Sequence, residues 1–104
     1  MANKSIRLSD GTNSLYPIAS NMLARSLSSG DDLNTLVSSD NSGFYYIGGG
    51  VSHAPQDWCA LIVIARMTGG CTQIAISSNN LFYRQYTGSP LAWSSWRVLT
   101  GTVV

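Results

Sequence analysis

The chain has 104 residues, 44% hydrophobic and only 11% charged, with a formal net charge of +1. That length and apolar content predict one folded domain with a modest core and exclude a disordered chain. Six Lys and Arg spread along the sequence leave no basic patch to neutralise phosphates, so no nucleic-acid partner is expected. The longest strictly apolar stretch, Ala60 to Ala65, is far too short to span a membrane, and no membrane insertion is expected. The start, Met1 to Ile6, lacks the apolar core of a secretory signal.

From the N-terminus, Ser5 to Ile18 reads as a hairpin turning at Asp10-Gly11, with Pro17 demoting the second arm to an edge. Ser20 is placed to cap a short helix over Asn21 to Ser28. Met22, Leu23 and Leu27 share a helical stripe, and Gly30 closes the helix. Two turns of helix are marginal alone, so this stripe is expected to bury against another surface. Leu15, Tyr16, Ile18, Met22, Leu23 and Leu27 are therefore the candidate oligomer-interface residues. Residues 1–30 form an attachment and oligomerisation segment in this reading, and residues 31–104 a separate knob.

Asp31 and Asp32 open the knob with a capped turn, and Ser38 to Gly43 has loop composition. Phe44 to Ile47 is a short strand ended by Gly48-Gly49-Gly50, and Val51 to Asp57 is a loop. Ala60 to Ala65 lacks alternation and is predicted as a central strand buried on both faces. Cys71 to Ser77, Leu81 to Tyr86 and Trp93 to Leu99 follow, separated by turn-forming residues. The fold class expected is all-β, a small antiparallel β-sandwich or compact sheet. If Gly69-Gly70 makes the turn, Thr68 faces Cys71 and Arg66 faces Gln73. Cys59 then lies too far from Cys71 for a disulfide, and both thiols are expected reduced and packed.

The order Asp32-Leu33-Asn34-Thr35-Leu36, Gly43-Phe44-Tyr45-Tyr46, Ala54-Pro55, Thr72-Gln73-Ile74-Ala75, an aromatic strand with Arg84, and Trp93-Ser94-Ser95-Trp96-Arg97 resembles the pyocin-knob type domain of bacteriophage tail fibres and phage-tail-like bacteriocins. The resemblance covers about residues 31–99. More weakly, Ile6 to Thr12 with Tyr16-Pro17-Ile18 is similar to hairpins at the base of phage fibre and head-fibre proteins. The resemblance implies a virion-associated, usually trimeric, non-enzymatic domain near the host-contacting end of a fibre. Its implied partners are two further copies of itself, other virion proteins through the N-terminal segment, and a host-surface glycan or protein receptor. A typical knob caps a long shaft, and this chain has none. It is then a fibre-tip fragment or a short appendage, the Met1-Ala2 start favouring a complete small protein. A capsid or baseplate decoration protein and a free lectin-like carbohydrate-binding module are the competing readings.

Catalytic chemistry finds little support. Ser52, His53 and Asp57 are neighbours on one stretch of chain, where adjacent side chains diverge rather than converge on one atom. The five acidic residues are all Asp, and each has a turn, cap or loop role. Asp31, Asp32 and Asp40 form an oxygen-rich set without a recognised calcium spacing, and two Cys and one His lack zinc-site spacing. No metal and no cofactor are expected. The candidate ligand contacts are loop residues: His53, Gln56, Asp57, Trp58, Tyr86 and Trp93. Most of the other aromatics are assigned to the core or to a subunit interface.

Overall fold

A computed structural model describes residues 23–104. The described residues form seven strands in one sheet: β1 Arg25–Leu27, β2 Gly43–Ile47, β3 Cys59–Ala65, β4 Cys71–Ile76, β5 Asn80–Thr87, β6 Ala92–Trp93 and β7 Arg97–Thr100. Their order is β1-β2-β3-β4-β5-β6, with β7 also paired to β5. The fold is all-β, and of the two expected forms it takes the compact single sheet. Among these residues, no helix is long and apolar enough to cross a membrane. The expected hairpin over Ser5 to Ile18 lies outside the described residues.

The central meander follows alternation. Cys59, Leu61 and Val63 of β3, Cys71, Gln73 and Ala75 of β4, and Tyr45 and Ile47 of β2 face inward and are buried. Burying a Leu, Ile or Val side chain contributes about 1.5–3 kcal/mol. A layer of irregular chain covers this inner face instead of a second sheet. Leu33, fully buried on a single 3-10 turn Leu33–Thr35, anchors that layer, with Val51 beside it in the core. Asp32 caps the turn as expected, its Oδ1 accepting from the Asn34 N–H at 2.9 Å. A second 3-10 turn, Ser39–Asn41, interrupts what was expected to be plain loop.

Several expectations are corrected. Arg25–Leu27 is a strand, not part of a helix over Asn21 to Ser28. It runs parallel to β2, with Leu27 opposite Ile47. The open edge of β2 offers backbone partners that two isolated helical turns cannot match. Gly30, with φ of 103°, belongs to a turn in which the Asp31 N–H donates to Ser28 O and Asp31 Oδ2 accepts from the Ser28 N–H. Strand β3 is interior to the sheet, but it is buried on one face only, since Ala60 and Ile64 are exposed.

The β3–β4 register also differs, because Cys71 faces Ala65 and Gln73 faces Val63. The Arg66 N–H donates to Gly70 O, so the turn is longer than two residues. The cysteine conclusion survives this change. Cys59 and Cys71 lie at opposite ends of the paired strands and are both free and buried. The final expected strand, Trp93 to Leu99, is broken into β6 and β7.

Candidate binding surface

The loop from Val51 to Trp58 carries two of the sequence-selected residues in an uncommon backbone state. His53 and Trp58 have φ of 63° and 60°, the left-handed region that non-glycine residues seldom occupy. Such strain persists where surrounding contacts over-determine it, and it concentrates at binding and active sites.

Trp58 is held over bare backbone. A methyl group added at Gly49 would sit 3.3 Å from Trp58 Cζ2, and one added at Gly48 3.9 Å from Cζ3. The indole therefore lies on the Gly48-Gly49 peptide, yet 65% of its surface remains exposed. Glycine at both positions lets the ring approach. At Gly48 a side chain would also meet Leu27 O at 2.7 Å, where β1 joins β2. Next to it, Asp57 Oδ1 accepts from the Gly50 N–H at 3.3 Å and Gln56 Nε2 donates to Asp57 O at 3.4 Å. Gln56, Asp57 and Trp58 thus form one local unit.

His53 belongs to a second neighbourhood built on β5, β6, the segment between β6 and β7, and the turn capped by Asp32. Its Nδ1 lies 2.7 Å from Asp32 Oδ1. A carboxylate only accepts, so Nδ1 carries the proton in this pair. The Asn34 N–H and His53 hold the Asp32 carboxyl below its ordinary range. Trp96 Nε1 donates to His53 O at 2.8 Å and ties the loop to the segment between β6 and β7. Asp32 and Ser52 form an isolated bridge beside this contact.

Beneath the pair lies Arg84, 4% exposed. Its guanidinium stacks on Trp93 at 3.7 Å and faces Trp96 at 4.7 Å from the ring centroids. Nε donates to Gln73 Oε1 at 3.0 Å, and Gln73 Nε2 donates onward to Leu33 O at 2.8 Å and Leu36 O at 3.2 Å. Burial lowers the Arg84 pKa to about 10, so it stays charged at neutral pH, with the Asp32 carboxylate opposing the shift. One guanidinium nitrogen has no hydrogen-bond partner, and the two indole faces supply the compensation. Desolvated cation–π contacts of this kind are worth about 2 kcal/mol or more. Tyr86 completes the group, its ring 5.0 Å from that of Trp93 and tilted by 39°.

The six sequence-selected loop residues therefore divide into two neighbourhoods, Gln56-Asp57-Trp58 and His53-Trp93-Tyr86. In the second, Trp93 and Tyr86 are half-buried and pack against the core. Of the six, Trp58 presents the most open aromatic face. Of the interface candidates, Leu15, Tyr16, Ile18 and Met22 lie outside the described residues. Leu23 is exposed, and Leu27 packs against the core.

Sequence reasoning missed Asp32 as the partner of His53, and Gln73 and Arg84 as the polar centre. The signal for Arg84 was its place between Phe82 and Tyr86 on one face of a strand. Among the described residues, no group of three His, Cys, Asp or Glu side chains is placed to hold a metal ion. Asp31 and Asp32 are engaged by the backbone of their own turns.

In comparisons with known proteins, no family model, no curated protein and no solved structure matches this chain.

Proposed function

We propose that this chain is a non-enzymatic knob of a phage-type virion fibre that attaches to a host-cell surface through its Val51–Trp58 loop. The observation that carries this reading is Trp58, an indole 65% exposed, fixed on a glycine floor by a strained backbone. A flat, immobilised aromatic face loses little entropy on binding and stacks on the apolar face of a sugar ring or on an apolar protein side chain. The low-charge surface, rich in Ser, Asn and Thr, suits recognition by hydrogen bonds. The ordered motifs from Asp32 to Arg97 supply the phage-fibre half of the proposal.

The proposed partners are a surface glycan or protein receptor, further copies of the chain as a homotrimer, and other virion proteins through the N-terminal segment that precedes β1. In an assembly of three, each contact works at modest affinity because linked sites raise avidity. No step of this function requires a reacting group or a cofactor.

Binding to immobilised bacterial surface polysaccharides and to whole cells, measured by interferometry and by cell pull-down, tests the reading. The wild-type chain is expected to bind at least one surface. Trp58→Ala should weaken that binding at least tenfold, equivalent to about 1.4 kcal/mol. A chain that binds no bacterial surface, or whose binding is unchanged by Trp58→Ala, contradicts it. Binding only to purified capsid or baseplate would favour decoration instead.

A further inference from the structure

The end of the sheet that carries Trp58 has free charge of one sign. β2 ends at Ile47 opposite the start of β3 at Cys59, so the Val51–Trp58 loop stands at that end. Asp57 lies in this loop. Asp31 and Asp32 join it through the Asp32–Ser52 bridge and the Ser52 N–H, which donates to Asp31 O at 2.9 Å. The described arginines stand elsewhere. Arg66 follows Ala65 at the opposite end of β3. Arg25 lies over the Tyr45 ring at 4.4 Å and donates to Ser42 O, beside the start of β2. Arg97 is on β7, three strands from β3 and therefore about 14 Å away across the sheet. Arg84 is buried and stacked on two indoles. His53, which can also carry positive charge, is paired with Asp32. A ligand on Trp58 thus meets carboxylates and no free guanidinium among the described residues.

We propose that the ligand of the Trp58 surface is an uncharged glycan, and that Asp57 selects it by accepting from two adjacent hydroxyl groups of the sugar ring stacked on the indole. This rests on the function proposed above and narrows its ligand. A carboxylate offers about four acceptor positions, and Asp57 uses one of them for the Gly50 N–H. Its Oδ2 has no partner among the described residues, and the residue is exposed. Asp57 and Trp58 are consecutive, the first tied to Gly50 and the second seated on Gly48-Gly49. An acceptor pair therefore stands beside an apolar plane, both on one anchored stretch of chain. A pyranose presents the complement, C–H groups on its face and hydroxyl donors around its rim. Hydrogen bonds to an ionised acceptor are about twice as strong as neutral ones, so one carboxylate suffices to orient the ring. Asp31 and Asp32 are already engaged by Ser28, Asn34 and His53. The free charge at the site is then a single carboxylate among neutral hydrogen-bonding groups, which favours a hydroxyl-bearing ligand over a cationic one. A polyanion is opposed by all three carboxylates.

Interferometry with the full chain at neutral pH tests this, on immobilised neutral polysaccharides (glucans, mannan, galactan) beside a polyuronate and a glycerol-phosphate polymer. The wild type is expected to bind at least one neutral polymer, and the two polyanions at least tenfold more weakly. Affinity for the neutral polymer should change less than about twofold between about 50 and about 200 mM salt, since no ion pair forms. Asp57→Asn keeps an acceptor for Gly50 but loses the carboxylate, and should weaken that binding at least tenfold at an unchanged thermal midpoint. Asp40→Asn, on the 3-10 turn Ser39–Asn41 at the other end of the sheet, should bind as the wild type does. The comparison of polymers needs no variant, so it decides the question even if Asp57→Asn fails to fold. Polyanion binding as tight as neutral binding overturns the inference. So does unchanged binding by a folded Asp57→Asn chain.

Whole cells separate this from the function proposed above. Periodate cleaves adjacent hydroxyl pairs on cell-surface sugars, so it should abolish binding that Trp58→Ala also weakens. Trp58-dependent binding that survives periodate, or that falls steeply with salt as a cationic protein side chain would make it, overturns the uncharged glycan and leaves the attachment function standing. A chain that binds no cell and no polymer overturns both.

Discussion

At the scale of single residues, the chain spends its few charges where they organise structure. Arg84 is buried between two tryptophans and bridged by Gln73 to the backbone of the layer above. Gln73→Leu removes three hydrogen bonds and strips the guanidinium of its side-chain acceptor, so it should cost about 3 kcal/mol. Replacing both residues, Gln73→Leu with Arg84→Met, should recover part of that loss, because the buried charge is gone as well. Denaturant midpoints of the two singles and the double check the coupling.

Asp32 gives a pH dependence of definite sign. Its carboxyl is held low by the Asn34 N–H and by His53, so its stabilising effect is complete above the ordinary carboxylate pKa. That effect is lost as pH falls through the depressed value. Thermal stability should therefore drop from about pH 4 downward, less steeply in Asp32→Asn. Burial raises the pKa of both Cys59 and Cys71, keeping them protonated at neutral pH. Neither should react with a thiol reagent until the chain unfolds, which colourimetric titration with and without denaturant reads directly.

At the scale of elements, local alternation carried most of the sheet. β2, β4 and β5 were legible because aromatic and β-branched residues alternate between turn signals. β1 was not, since Met22, Leu23 and Leu27 also fit a helical stripe. Its pairing with β2 spans some twenty residues, and no local pattern announces it. Sequence distance hid the Asp32–His53 pair in the same way. The one-sided burial of β3 was hidden for a different reason. Ile62, Ile64, Ile74 and Ile76 look like core in sequence, and only the layer arrangement puts them on the outer face. Gly48 is the tightest point between elements. Gly48→Ala would press a methyl against Leu27 O, and should open the β1–β2 pairing, seen as faster amide exchange in Arg25–Leu27 while β3–β5 stay protected.

At the scale of the whole molecule, the sheet acts as a platform with two distinct surfaces. One edge presents Trp58 on its strained loop, and the outer face carries the register row Ile62, Ile74, Tyr83 and Arg97. The proposed knob uses the first to bind a surface. The Trp58 loop was legible in the sequence as a loop with an aromatic at its end. Its glycine floor and left-handed backbone depend on β1, β2 and the loop coming together. Substituting Trp58 should therefore alter recognition far more than stability. Trp58→Gly relieves the positive φ and should keep the fold within about 1 kcal/mol of wild type. The most direct test is the affinity of Trp58→Gly for immobilised bacterial surface polysaccharide or whole cells, read beside its thermal midpoint. The expected result is an unchanged midpoint with at least tenfold weaker binding. Wild-type binding by a folded Trp58→Gly chain would contradict the central claim.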